Sequence, residues 1–176
     1  VAALELVAPD LFGNIAWLLF SRLRPIHVNL VLFGFVTPGL LASAFYFVPR
    51  LLRTELYSER LGVFTVVLWN IALVALVISL AAGYTQGREY AEMIWPIDVG
   101  IVIAFCLIFV NFIMTVKNRK EKILYVSIWY VLAAIVLTTC TYCLGNVIWK
   151  PDSGALVGIP DALLLWFYGH NVFGLL

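Results

Sequence analysis

Charge is nearly absent from four stretches of about 20 residues in this 176-residue chain, and each can cross a ~30 Å hydrocarbon layer as an α-helix. No other feature constrains the fold as strongly. Inside a bilayer every backbone N–H and C=O needs an internal partner, which leaves helices or closed β-barrels. Barrel strands alternate apolar and polar residues, and these runs do not alternate. Only 12% of the residues are charged, against roughly 25% in soluble domains, and the mean hydropathy is +1.03. The expected fold class is an all-α, polytopic transmembrane helix bundle. A net charge of +1 argues against a nucleic-acid partner.

The runs place full spans at 25–48, 61–82, 95–116 and 123–148, with partial spans at 1–8 and 161–176. Val1 follows no Met and no charged leader, and the chain stops inside an apolar run, so a single-domain fragment is expected. Arg50, Arg53, Arg60, Lys117, Arg119, Lys120 and Lys122 occupy two alternate connections and are seven of the 11 basic residues. By the positive-inside rule those connections face the cytoplasm, and the segments at 9–24, 83–94 and 149–160 face outward.

Within this frame only two histidines occur, and both lie in or beside apolar segments. His27 sits in Arg22-Leu-Arg24-Pro25-Ile-His27-Val-Asn29, where Pro25 suits the first turn of a helix. A neutral imidazole below two interfacial arginines suits haem ligation with propionate pairing, or a plain interfacial histidine with lipid-binding arginines. His170 sits in Trp166-Phe-Tyr168-Gly169-His170-Asn171; it suits a transition metal or a hydrogen bond across the bundle. Gly169 would let a neighbouring helix or flat cofactor approach. With both histidines in the outer half, their depths match best if the His27 helix begins near Ser21.

A third cluster is the outward segment from Gly83 to Pro96. Glu89 and Glu92 are three apart, so on a turn of helix their carboxylates share a face and suit a hard cation such as calcium, or remain solvated. Asn29, Asn70, Ser79, Asn111, Thr115, Thr138 and Thr139 read as hydrogen-bonding partners between helices. No acidic residue is expected deep in the spans, which argues against a proton-coupled transporter. Cys106, Cys140 and Cys143 read as small packing residues rather than a redox or metal pair.

The strings RLRPIHVN, ISLAAGYTQGREYAEMIWPID, NRKEKILYVSIWY and WFYGHN, in this order over most of residues 20–176, resemble the catalytic subunit of cbb-type (C-type) haem–copper cytochrome c oxidases. That resemblance implies the first half of a haem–copper oxidase subunit I. It implies His27 as an axial ligand of a low-spin haem b and Arg24 beside the haem propionates. It also implies His170 as one ligand of the active-site copper, CuB, and Glu89 at a calcium site with Glu92 nearby. A high-spin haem b, the other copper ligands and a cross-linked tyrosine would lie beyond Leu176, so the fragment alone is expected to be inactive.

The implied activity is reduction of oxygen to water with electrons from cytochrome c, coupled to proton translocation, in the bacterial inner membrane. The implied partners are c-type cytochrome subunits, the C-terminal half of the same subunit, and lipid. The sequence departs from the family pattern at Gln86-Gly87, where small hydroxyl residues are expected, and at Cys140 to Cys143 with Tyr142, where a histidine-bearing segment is expected. Gly174, four after His170, is not the tyrosine of A-type oxidases, and residues 171–176 lack the acidic residue of nitric oxide reductases. The alternatives are a nitric oxide reductase-like subunit, or a transporter or assembly factor without a redox centre.

Overall fold

The computed structural model describes residues 2–13, 15–151 and 155–175. Its helices are α1 (Ala2–Val7), α2 (Phe20–Asn29), α3 (Thr37–Leu51), α4 (Glu59–Ala82), α5 (Trp95–Lys117), α6 (Val126–Gly145) and α7 (Ile159–Leu175). A π-helical segment, Leu30–Val36, joins α2 to α3, so one apolar helical rod runs from Phe20 to Leu51. That rod, α4, α5 and α6 are each long and apolar enough to span a membrane. No strand occurs among the described residues, and the chain is a polytopic helical membrane bundle.

The first rod begins at Phe20 rather than Pro25, so Pro25 stands inside α2 instead of in its first turn. This earlier start places His27 about 10 Å along its helix, against about 16 Å for His170 counted from Ile159, so the depth difference between the two histidines narrows but is not removed. The π segment has a local chemical cause. Pro38 has no N–H to return to the carbonyls one turn back, including that of Phe33. The Phe33 carbonyl instead accepts the Trp69 indole N–H from α4 at 2.8 Å. Thr37 supports the same turn, its hydroxyl donating to the Leu32 carbonyl at 2.8 Å.

Local signals set the ends of α4. Ser58 caps its N-terminus, accepting from the Leu61 N–H at 3.1 Å. Gly83 closes the C-terminus at φ 92°, a left-handed conformation that favours glycine, and the Tyr84 N–H returns to the Ser79 carbonyl at 2.8 Å. Arg22 reaches across from α2 to donate to the nearby Ala81 carbonyl at 2.6 Å.

The long helices alternate in direction, with α5 between α4 and α6, and α7 against α6. The two basic connections meet at one end, where the Lys120 N–H donates to the Leu52 carbonyl at 3.1 Å and Arg53 lies 3.4 Å from Glu121. At the opposite end, Trp95 donates to the Ile148 carbonyl at 2.8 Å and Arg88 pairs with Asp161 at 3.0 Å. Between the ends the core is tight and aromatic: Trp69 meets Phe105 edge-on at 5.1 Å, and Phe45 meets Phe112 at 4.7 Å.

The polar residues of the spans divide three ways, with Thr138 buried and its hydroxyl, contrary to expectation, without a hydrogen-bond partner among the described residues. Asn29 reaches Glu92, Asn111 holds both the N–H and carbonyl of Ser58, and Thr115 accepts from the Tyr57 N–H. Asn70, Ser79 and Thr139 instead return to carbonyls of their own helices, the local alternative open to short polar side chains. The three cysteines are free thiols, and Cys106 and Cys140 face outward rather than packing between helices.

The expectation that no acidic residue lies buried in a span is corrected by Asp98. It occupies the first turn of α5 and has no exposed surface. A carboxylate there favours the helix N-terminus, which accounts for the position in sequence. Its burial comes from α6 and the 83–94 segment packing over it.

Candidate functional site

His27 projects from the second turn of α2 on an outward face, with no hydrogen-bond partner among the described residues. It lines an open groove of about 250 Å³ with Val28, Val31, Leu32 and Val36 from its own rod, and with Tyr90 and Phe173. Arg24 lies one turn before His27, so both side chains leave the same side of α2. Arg24 pairs with Glu89, and both side chains remain about half exposed.

The 83–94 segment is not helical, contrary to the geometry assumed for its acidic pair. Arg88 and Ala91 form an isolated bridge around a tight turn, with Tyr90 at φ 63°. A non-glycine residue at that angle is unusual and signals a conformation imposed by its surroundings. The turn separates the two carboxylates. Glu89 points out to Arg24, whereas Glu92 points in, is buried, and accepts from the Asn29 amide at 2.9 Å. Burial pushes the Glu92 carboxyl above the usual glutamate range, and the Asn29 hydrogen bond partly offsets this.

His170 stands on an outward face of α7, also without a hydrogen-bond partner among the described residues. Phe173, one turn further along, meets the Tyr90 ring edge-on at 5.2 Å and helps wall the His27 groove. The two histidines thus border one region of the bundle through Tyr90 and Phe173. No group of three or more His, Cys, Asp or Glu residues converges as a metal cage among the described residues.

Gly169 is not where the backbone approach is closest. A methyl group there would meet the Tyr90 ring at 3.7 Å, an ordinary contact. At Gly145, by contrast, an added methyl would overlap the Tyr168 ring, so α6 and α7 meet at that glycine.

Behind the groove lies a polar cluster that sequence reasoning missed. The Asp98 carboxylate accepts from the Tyr142 hydroxyl at 2.7 Å and from the Gln86 amide at 3.0 Å. Gln86 and Tyr142, 56 positions apart in sequence, thus meet on one carboxylate. Arg88 donates to the Gly145 carbonyl and pairs with Asp161 at the start of α7. The surviving sequence signal was Asp98 itself, inside a run otherwise free of charge.

Fold and site together define a membrane-embedded helix bundle that presents His27 on an apolar groove with an arginine at its rim, and His170 on the helix that helps to wall that groove. Residues 1–176 match the family described as Cytochrome C and Quinol oxidase polypeptide I, and the chain belongs to that family. It is 36% identical to the Cbb3-type cytochrome c oxidase subunit CcoN1 of Stutzerimonas stutzeri, across 98% of this chain and 37% of that protein. It is also 36% identical to cytochrome c oxidase subunit 1 of Rhodobacter capsulatus, across 99% of this chain and 34% of that one. A cytochrome c oxidase subunit 1 homolog of Agrobacterium tumefaciens is 35% identical, across 99% and 33% respectively. The chain therefore spans about a third of the length of these curated relatives. Family membership does not favour the transporter or assembly-factor reading.

Proposed function

We propose that this chain is the haem- and copper-ligating first part of a cbb-type terminal oxidase subunit, which reduces oxygen to water with electrons from cytochrome c and couples this to proton translocation. One observation carries the reading: His27 lines an apolar groove with Arg24 one turn above it, and the wall opposite comes from the helix that bears His170. Relatives named as oxidase subunits support it. The partners are c-type cytochrome subunits and the rest of the subunit, and the location is the bacterial inner membrane.

The residues present fit a haem and a copper ion in chemical type. Neither imidazole has a hydrogen-bond partner among the described residues, which leaves a ring nitrogen open to a metal. His27 would hold a low-spin haem b from the apolar wall, and the Arg24 guanidinium would take a propionate in charge-assisted hydrogen bonds. His170 would supply one ligand to copper, with the other ligands and the high-spin haem b provided elsewhere in the subunit. These groups supply one-electron transfer and the binding of oxygen.

This chain's own residues orient and exclude. Val28, Val31, Leu32 and Val36 keep water from the groove wall, and Glu89 holds Arg24 over the rim. Calcium fits less well. Glu89 is engaged by Arg24 and Glu92 turns inward to Asn29, so these two carboxylates do not form a shared cation site and no step is assigned to calcium.

The test uses the full-length subunit in its assembled complex. His27→Ala should abolish the low-spin haem b signal in the reduced-minus-oxidised spectrum. His170→Ala should remove copper and leave that signal. Retention of both cofactors in both variants overturns the assignment.

A further inference from the structure

Tyr168 stands two residues before His170 on α7 and is wholly buried. Three residues from two other parts of the chain, α6 and the 83–94 turn, hold it. Its ring lies against Gly145 at the end of α6, where any side chain on the glycine would occupy the same space. Its hydroxyl donates to the Tyr90 carbonyl at 2.8 Å, in the turn between Glu89 and Glu92. Its ring also meets Tyr142 edge-on at 6.0 Å, and the Tyr142 hydroxyl is anchored on Asp98.

Residues two apart on a helix point about 200° away from each other. Seating Tyr168 in the interior therefore turns His170 outward, with Phe173 about 60° from it by the same count. The Gly145 seat sets the rotation of α7. The bond to Tyr90 sets its depth, because that carbonyl is fixed in a turn with a positive φ.

We propose that Tyr168 is the positioning residue for His170: seated at Gly145 and tethered to the Tyr90 carbonyl, it fixes where the imidazole is presented to its metal. The inference rests on the reading of His170 as a copper ligand. It also gives the 83–94 turn a second job, since the same carbonyl ties the Arg24–Glu89 rim to the helix that carries His170.

The experiment compares wild type, Tyr168→Phe, Gly145→Ala and Trp166→Phe in the assembled, full-length oxidase. Trp166 is 75% exposed on the same helix and serves as the control. The readouts are copper and haem per complex, and the infrared stretch of carbon monoxide photolysed onto copper. Tyr168→Phe should retain haem and copper but shift or broaden the copper–carbon monoxide band. Gly145→Ala should lose more than half of the copper while keeping the low-spin haem signal. Trp166→Phe should match wild type.

An unchanged band in Tyr168→Phe with full copper in Gly145→Ala overturns the proposal. Loss of haem and copper together in Tyr168→Phe also overturns it, since that marks general packing. If Gly145→Ala fails to assemble, the Tyr168→Phe band decides alone. A wild-type complex without copper defeats the ligand reading of His170 instead, and takes this inference with it.

Discussion

The Tyr142 hydroxyl donates to the Asp98 carboxylate at 2.7 Å, and neither residue has appreciable exposed surface. Gln86 supplies the second donor to that carboxylate. An acid enclosed by neutral donors depends on each of them, because removing one partner leaves desolvation uncompensated. Tyr142→Phe is therefore expected to destabilise the bundle by about 1–3 kcal/mol. Denaturant unfolding of the purified subunit in detergent, read by circular dichroism, checks this, and a shift near zero would mean that another donor replaces the hydroxyl.

Glu92 makes stability depend on pH. Burial raises its carboxyl pKa in the folded state, so the folded form binds the proton more tightly than the unfolded chain. The associated stability is fully present below the unfolded glutamate value and is lost as pH rises through the elevated folded value. Glu92→Gln keeps an oxygen for the Asn29 amide while removing the titration. It should flatten that part of the stability-versus-pH curve and raise stability at neutral pH relative to wild type.

The Trp69 indole is the donor that lets the π-helical segment keep the Phe33 carbonyl inside the bundle. Trp69→Phe should cost about 1–3 kcal/mol through that orphaned carbonyl, in addition to lost packing on Phe105. Hydrogen exchange should show faster opening confined to 30–37. Uniform exchange across all the helices would argue that the π segment needs no outside donor.

Two ion pairs should behave differently. Arg88 is buried against the Gly145 carbonyl and Asp161, and Arg88→Met should cost about 2–3 kcal/mol. That is below the ~3–5 kcal/mol of a fully buried pair because Asp161 keeps part of its surface. Arg53 is largely exposed beside Glu121, so Arg53→Ala should change stability by less than about 0.5 kcal/mol. Thermal unfolding of both variants under one set of conditions checks the contrast.

Much of the helix order was legible because membrane-length apolar runs have few alternatives. Boundaries shifted where capping chemistry was ambiguous, as at Phe20, where Pro25 was a plausible helix start and is an interior residue. His27, Arg24 and His170 could be singled out from the sequence because polar groups in apolar surroundings are costly. The assumption that Glu89 and Glu92 share a face failed because the bridge between Arg88 and Ala91 folds their segment into a tight turn. Tyr168 was hidden among neighbouring aromatics, where nothing local separates a buried ring from the outward Trp166.

The sequence by itself determined that the chain forms membrane-spanning helices, how its basic connections alternate, and which imidazoles stand apart from the apolar background. Those properties follow from composition and spacing, which act along the chain. Only the tertiary structure decided that Gln86 and Tyr142 meet on Asp98, that Gly145 rather than Gly169 is the point of closest approach, and that Tyr168 orients the helix of His170. The physical reason is distance along the chain. Those contacts join residues 12 to 78 positions apart, and their geometry exists only once separate helices have packed.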